Sequence, residues 1–168
     1  MFIPFESLAP ASRIWIFQAN RPFVTGELKV AETRLRAFTE DWAAHGIPLK
    51  TSYKIEFNQF IILAADETHH AASGCSIDSS VRILKELETA LDIQLFDRTQ
   101  AAFKTGDHII LVPLSELKQK FQNGTLKADS LTFNNVLTTK SEFDESWIVP
   151  VSKTWLKRYI PNELANVE

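Results

Sequence analysis

Two stripes of apolar residues at helical spacing, set among short strand-like runs, constrain this chain more than any other feature of its sequence. From about Gly26 to His45, the residues Leu28, Ala31, Leu35, Phe38 and Trp42 recur every three or four positions, the pattern of a long amphipathic helix. Thr25 can cap its start, Gly46 supplies a left-handed residue to end it, and Pro48 blocks continuation. The second stripe, Ile77, Val81, Leu84, Leu87 and Leu91, follows a polar loop from Asp66 to Gly74.

A helix with one apolar face must bury it against another layer, and the strand-like runs provide that layer. Arg13-Ile14-Trp15-Ile16-Phe17-Gln18 is rich in β-branched and aromatic residues and is closed by Asn20-Arg21-Pro22. Leu49 to Phe57 and Gln59 to Ala65 flank a reversal at Asn58, as in a hairpin. A further pattern, Ala101 to Lys104 and His108 to Val112, surrounds the turn Thr105-Gly106-Asp107. The order strand, helix, strand, strand, helix, strand predicts an α+β fold: an antiparallel sheet with two helices on one face, a ferredoxin-like βαββαβ core over about 12–112.

The last third is less regular. Leu114 to Gln122 reads as a short helix ended by Asn123-Gly124, Leu131 to Leu137 as a strand, and Trp147 to Val151 as an edge strand, because Pro150 cannot donate to a ladder. No linker interrupts the chain, and Trp15, Trp42, Trp147 and Trp155 are spread along it. Residues 113–168 are therefore expected to form an extension packed on the core, with 1–168 as a single domain.

Composition excludes several function classes. A net charge of −3 leaves no basic face of the kind nucleic acid requires. The longest apolar run, Phe60 to Ala65, is far below the ~20 residues of a membrane helix, so no membrane insertion is expected. The start, Met1-Phe2-Ile3-Pro4-Phe5-Glu6, lacks the basic and apolar regions of a secretory signal, and one cysteine cannot form an internal disulfide. Both favour a cytoplasmic protein.

That cysteine, Cys75, sits in Ser73-Gly74-Cys75-Ser76-Ile77-Asp78 at the start of the second helix. A thiol there meets the positive end of the helix dipole, which favours the nucleophilic thiolate. With Cys75 or Ser76 as the N-cap, Asp78 falls in the first turn and reinforces the start. The amides of Gly74 to Ser76 and the hydroxyls of Ser73 and Ser76 could instead hold a small anion, with Arg82 and Arg98 as clamps. Each feature has a plainer reading: turn residues, a packed small thiol, an Asp78–Arg82 pair on one helix face. His45 lies four residues after Asp41 on the first expected helix, so a carboxylate could orient its ring as a base for Cys75. A histidine ahead of a helix-ending glycine is equally explained by capping. Asp66, Glu67, His69 and His70 have no metal-ligand spacing and read as a solvated loop; no metal or cofactor is expected. Phe133-Asn134-Asn135 reads either as a turn or as amides lining a pocket.

Trp42-Ala43-Ala44-His45-Gly46, Ser73-Gly74-Cys75-Ser76-Ile77-Asp78 with Ser80-Val81-Arg82, and Leu95-Phe96-Asp97-Arg98 together resemble an uncharacterised family of small bacterial proteins often labelled "ABC transporter ATPase". The label implies a nucleotide site, and Phe60 to Ala65 followed by Asp66-Glu67 does resemble a Walker B strand. The five glycines, however, form no G-x-x-x-x-G-K-[ST] loop to cradle phosphates, so ATPase activity is not expected. The leading expectation is a non-enzymatic domain that binds a small anionic ligand or a protein partner around Ser73 to Asp78. The alternative is a thiol hydrolase or transferase using Cys75, His45 and Asp41. A purely structural or assembly role is the third, and a sheet with an open edge makes a homodimer plausible.

Overall fold

The computed structural model describes residues 1–162. In chain order its regular elements are β1 (Arg13–Gln18), α1 (Thr25–Asp41), β2 (Ala43–Ala44), β3 (Ile47–Pro48), β4 (Lys50–Glu56), β5 (Phe60–Asp66), α2 (Gly74–Leu91), β6 (Gln100–Thr105), β7 (His108–Pro113), α3 (Leu117–Gln122), β8 (Leu131–Phe133), α4 (Lys140–Ser146) and β9 (Ile148–Pro150). The fold is thus mixed α+β with antiparallel sheets. No helix among the described residues is long and apolar enough to cross a membrane.

The chain divides into two compact units, Met1–Asp97 with Val136–Glu145, and Arg98–Asn135 with the residues from Ser146 onward. In the first, β5 lies between β1 and β4 and runs antiparallel to both, so α1 crosses over between two strands that point the same way. The apolar run of β5 explains its central place, since Phe60 to Ala65 are all fully buried. On one face Ile61, Leu63 and Ala65 meet Ala31 and Leu35 of α1 and Leu84, Leu87 and Leu91 of α2, which are the stripes that give the helices their amphipathic pattern.

The N-terminal half of α2 departs from that pattern. Its buried positions are Ser76 and Ser80, while Ile77 and Val81 are only half-buried. Burial of these serines is tolerated because each hydroxyl donates to a carbonyl three residues back, Ser76 Oγ to Ser73 O at 2.8 Å and Ser80 Oγ to Ile77 O at 2.6 Å.

The second unit carries a four-stranded sheet in the order β7-β6-β8-β9. Ala101, Phe103 and Val112 pack there with Leu117, Phe121, Leu126, Val151, Leu156 and Ile160. The fourth strand expected of a ferredoxin-like core, Ala101 to Lys104, therefore belongs to this sheet and not to that of β1, β5 and β4. The β1 edge is met instead by residues far along the chain: Ile14 N–H donates to Thr138 O at 2.9 Å and Arg13 bridges Thr139. The strand expected over Leu131 to Leu137 stops at Phe133: Asn134 N–H donates to Trp147 O at 2.7 Å, the chain turns at Asn135 and Val136, and Asn135 Oδ1 accepts the Trp147 indole N–H at 3.0 Å.

One ion pair fixes both helices at the same end. Arg21 meets Glu27 of α1 through two parallel bonds of 2.7 and 2.8 Å, and the same guanidinium donates to Leu91 O at the end of α2. The guanidinium, together with the Val24 N–H, holds the Glu27 carboxyl far below its ordinary 4.5, at about 2. A carboxylate lowered on folding adds stability above its unfolded value and loses it as pH falls toward its folded value. Arg21→Gln is therefore expected to lower the melting temperature at pH 7, with the pH-dependent part of the difference fading between about 4.5 and 2. Unfolding curves across that range check it; a difference that stays constant down to pH 2 would exclude the linkage.

Candidate functional site

The α2 start is specified by Ser73. Its backbone is extended at the N-cap, and its Oγ accepts the Ser76 N–H at 3.1 Å. Neither Cys75 nor Ser76 is the cap, and Asp78 falls beyond the first turn, so the expected capping exchange with Asp78 is not formed. The sequence offers Cys75 and Ser76 for the role; Ser73 takes it instead because helical geometry begins at Gly74. The hydroxyls of Ser73 and Ser76 are thereby engaged within the turn itself, while Gly74 and the free Cys75 are exposed.

The α1 end also differs from the expectation. The helix stops at Asp41 with Trp42 as an extended C-cap, and His45 and Gly46, with φ of +50° and +77°, form the tight turn of the small β2–β3 hairpin. Asp41 and His45 do not share a helix face, so the carboxylate-oriented base expected from their spacing is not formed by that route. His45 is an exposed hairpin-tip residue.

Trp42 ties these two helix ends together. Its ring is 2% exposed, its Nε1–H donates to Ser76 O at 2.8 Å, and its centroid lies 5.0 Å from Phe38 and 5.6 Å from Trp15. Beside it, a groove of about 640 Å³ runs between α1 and α2. Phe38, Trp42, Ala37 and Ile83 give it an apolar lining; Arg34 and Asp41 from α1, and Ser79, Arg82 and Glu86 from α2, give it polar groups of both signs. Positions 34, 38 and 41, and 79, 82 and 86, each follow helical spacing, which is why one face of each helix delivers them together. Cys75 stands one turn before Ser79, whose Oγ donates to Cys75 O at 2.9 Å.

Of the residues singled out in the sequence, Asp41 and Arg82 thus meet in one groove. Ser73, Gly74, Cys75 and Ser76 form the helix start a turn away, and exposed Arg98 opens the other unit. The expected Asp78–Arg82 pair is not made; among the described residues neither Arg82 nor Arg34 has a carboxylate within ion-pair distance. Arg34 and Glu86 are not marked by the sequence, since a helix flank of mixed charge reads as a solvated face, and Phe38 reads there only as part of the apolar stripe.

The acidic tip of β5 has structural partners. Asp66 Oδ1 accepts from both the N–H and the hydroxyl of Thr68, which hold its carboxyl below the ordinary range, and Glu67 Oε2 accepts the Ala72 N–H at 2.6 Å. These bonds shape the loop before α2. No group of three potential metal ligands occurs among the described residues. No protein-family model, no curated protein and no solved structure matches the chain, so the site stands on its own geometry.

Proposed function

We propose that the first unit is a binding module for a small amphipathic anion, a carboxylate or phosphate ester with an aromatic or alicyclic body, held in the groove between α1 and α2. The observation that carries this reading is the pair of guanidiniums, Arg34 and Arg82, each without an ion-pair partner among the described residues, on either helix of an apolar-lined groove. The groove volume is within the roughly 300–1,000 Å³ of small-molecule sites, which are mostly apolar with a few placed polar groups. Planar guanidinium forks suit carboxylate and phosphate oxygens. Phe38 and Ile83, both only half-buried, offer apolar surface for the body of the ligand over the buried Trp42, and Asp41 and Glu86 would disfavour anions that carry no cationic or apolar part.

A second reading is favoured by the exposure of Cys75 in the first turn of an eighteen-residue helix: a reactive thiol that attacks an electrophile bound in the adjacent groove.

Anilinonaphthalenesulfonate, an aromatic sulfonate, is a suitable probe. It is expected to bind the native protein at one site, weaken as salt is raised, and bind Cys75→Ser with unchanged affinity. Absence of one-site binding, as followed by fluorescence titration, would contradict the binding module. A loss of affinity confined to Cys75→Ser would move the site to the thiol.

A further inference from the structure

The two larger sheets have four edges, and three of them are guarded. The outer edge of β4 is closed by the N-terminal segment, with Ile3 N–H donating to Thr51 O at 2.8 Å and Thr51 N–H to Met1 O at 3.0 Å. The outer edge of β1 is met by Thr138 and Thr139. β9 is three residues long and ends in Pro150, which has no N–H to offer.

β7 is the exception. It is six residues long, it is the outermost strand of its sheet, and no formal charge interrupts His108-Ile109-Ile110-Leu111-Val112-Pro113. Thr105 and His108 close a two-residue hairpin with Gly106 at φ +60°, which fixes the alternation of its hydrogen bonds. His108, Ile110 and Val112 bond inward to β6, so Ile109 and Leu111 turn both N–H and C=O outward, where no described residue pairs with them. Ile110 is 49% exposed although it lies in the middle of the strand. Long, uncharged, apolar edges are the kind that natural sheets normally blunt.

We infer that β7 is a dimerisation edge: a second copy of this chain pairs its own β7 antiparallel to it, about a two-fold axis at Ile110, and joins the two four-stranded sheets into one. In that register Ile109 and Leu111 exchange four backbone hydrogen bonds with the partner's Leu111 and Ile109, and Ile110 faces the partner's Ile110 as a non-hydrogen-bonded pair, where side chains approach most closely. An axis at Leu111 would instead set the Ile109 carbonyl opposite Pro113, which has no N–H. A two-fold contact places each residue near its own copy, so a charged strand would repel itself; the absence of formal charge from His108 to Ser115 removes that cost. This charge pattern favours a second copy over an acidic or basic partner strand.

The test is the solution mass of the whole protein by sedimentation equilibrium, with two variants. The unmodified chain is expected at twice the mass of one chain. Ile110→Lys, which sets two ammonium groups together at the axis, is expected to weaken the dimer at least tenfold while the chain still unfolds cooperatively, because the site is exposed in a single chain; its unfolding midpoint falls only by the association linkage that is lost. Should that variant fail to fold, Ile110→Cys in a Cys75→Ser background keeps the question open to measurement. Facing Cα atoms in such a pair lie about 4.5 Å apart, within the disulfide range, so mild oxidation is expected to cross-link the two chains. A protein that remains monomeric as concentration rises, a dimer untouched by Ile110→Lys and not cross-linked, or a monomer whose β7 instead takes up an extended peptide from another protein would each overturn the inference.

Discussion

Trp42→Ala is expected to destabilise the first unit by about 3–5 kcal/mol, the range for truncating a fully buried aromatic side chain. Two losses coincide at this residue. The indole vacates a cluster with Trp15 and Phe38, and the bond that ties the end of α1 to the start of α2 is lost, leaving Ser76 O, on a buried residue, without the indole donor. Trp42→Phe separates these causes, since it keeps most of the apolar volume and removes only the hydrogen bond. It is expected to cost about 1–2 kcal/mol. Chemical denaturation of the three proteins checks both figures; equal stabilities for Trp42→Ala and the parent would show that the two helix ends are not held by this ring.

The second large effect concerns binding. Arg34→Ala with Arg82→Ala is expected to weaken the aromatic sulfonate by roughly a hundredfold, because a hydrogen bond to a charged group contributes about 1.5–3 kcal/mol and two such groups line the groove. Either single variant is expected to cost roughly tenfold, and because both groups would grip one ligand head their effects need not add. Both side chains are exposed and make no ion pair among the described residues, so the stability of the double variant is expected within about 0.5 kcal/mol of the parent. Isothermal titration together with an unfolding curve separates a lost contact from a lost fold. Affinity unchanged in the double variant would remove the groove as the anion site.

Much of the first unit is legible in the sequence because burial there follows hydropathy. The stripes Ala31-Leu35 and Leu84-Leu87-Leu91 and the run Phe60 to Ala65 mark the layers and their faces. Three features escape such reading for separate physical reasons. His45-Gly46 fits a helix end as well as a hairpin turn, since both need positive φ; only pairing of Ala43 and Ala44 with Pro48 and Ile47 decides between them. Gln100 to Thr105 carries a clear strand pattern, but the pattern does not say which sheet receives it, and here it pairs with β7 and β8. Ser76 and Ser80 are buried although polar, because their hydroxyls bond within the helix, and hydropathy alone does not register that compensation.

The candidate site was legible in part. Arg82 is marked by the sequence as an anion clamp and Asp41 as a partner of His45, and the structure sets both in one groove with Arg34, Phe38 and Glu86. Contacts between two helices far apart in sequence depend on how each sits on the sheet, which spacing along one helix does not specify.

The most direct test of the groove is amide chemical-shift mapping of the intact protein by NMR during titration with anilinonaphthalenesulfonate. The expected result is a saturable set of shifts confined to the groove-lining stretches from Arg34 in α1 to Ala43 in β2, and from Ser79 to Glu86 in α2, with the same dissociation constant at each amide. Shifts centred elsewhere, or scattered shifts that do not saturate, would contradict the assignment of the groove as the binding site.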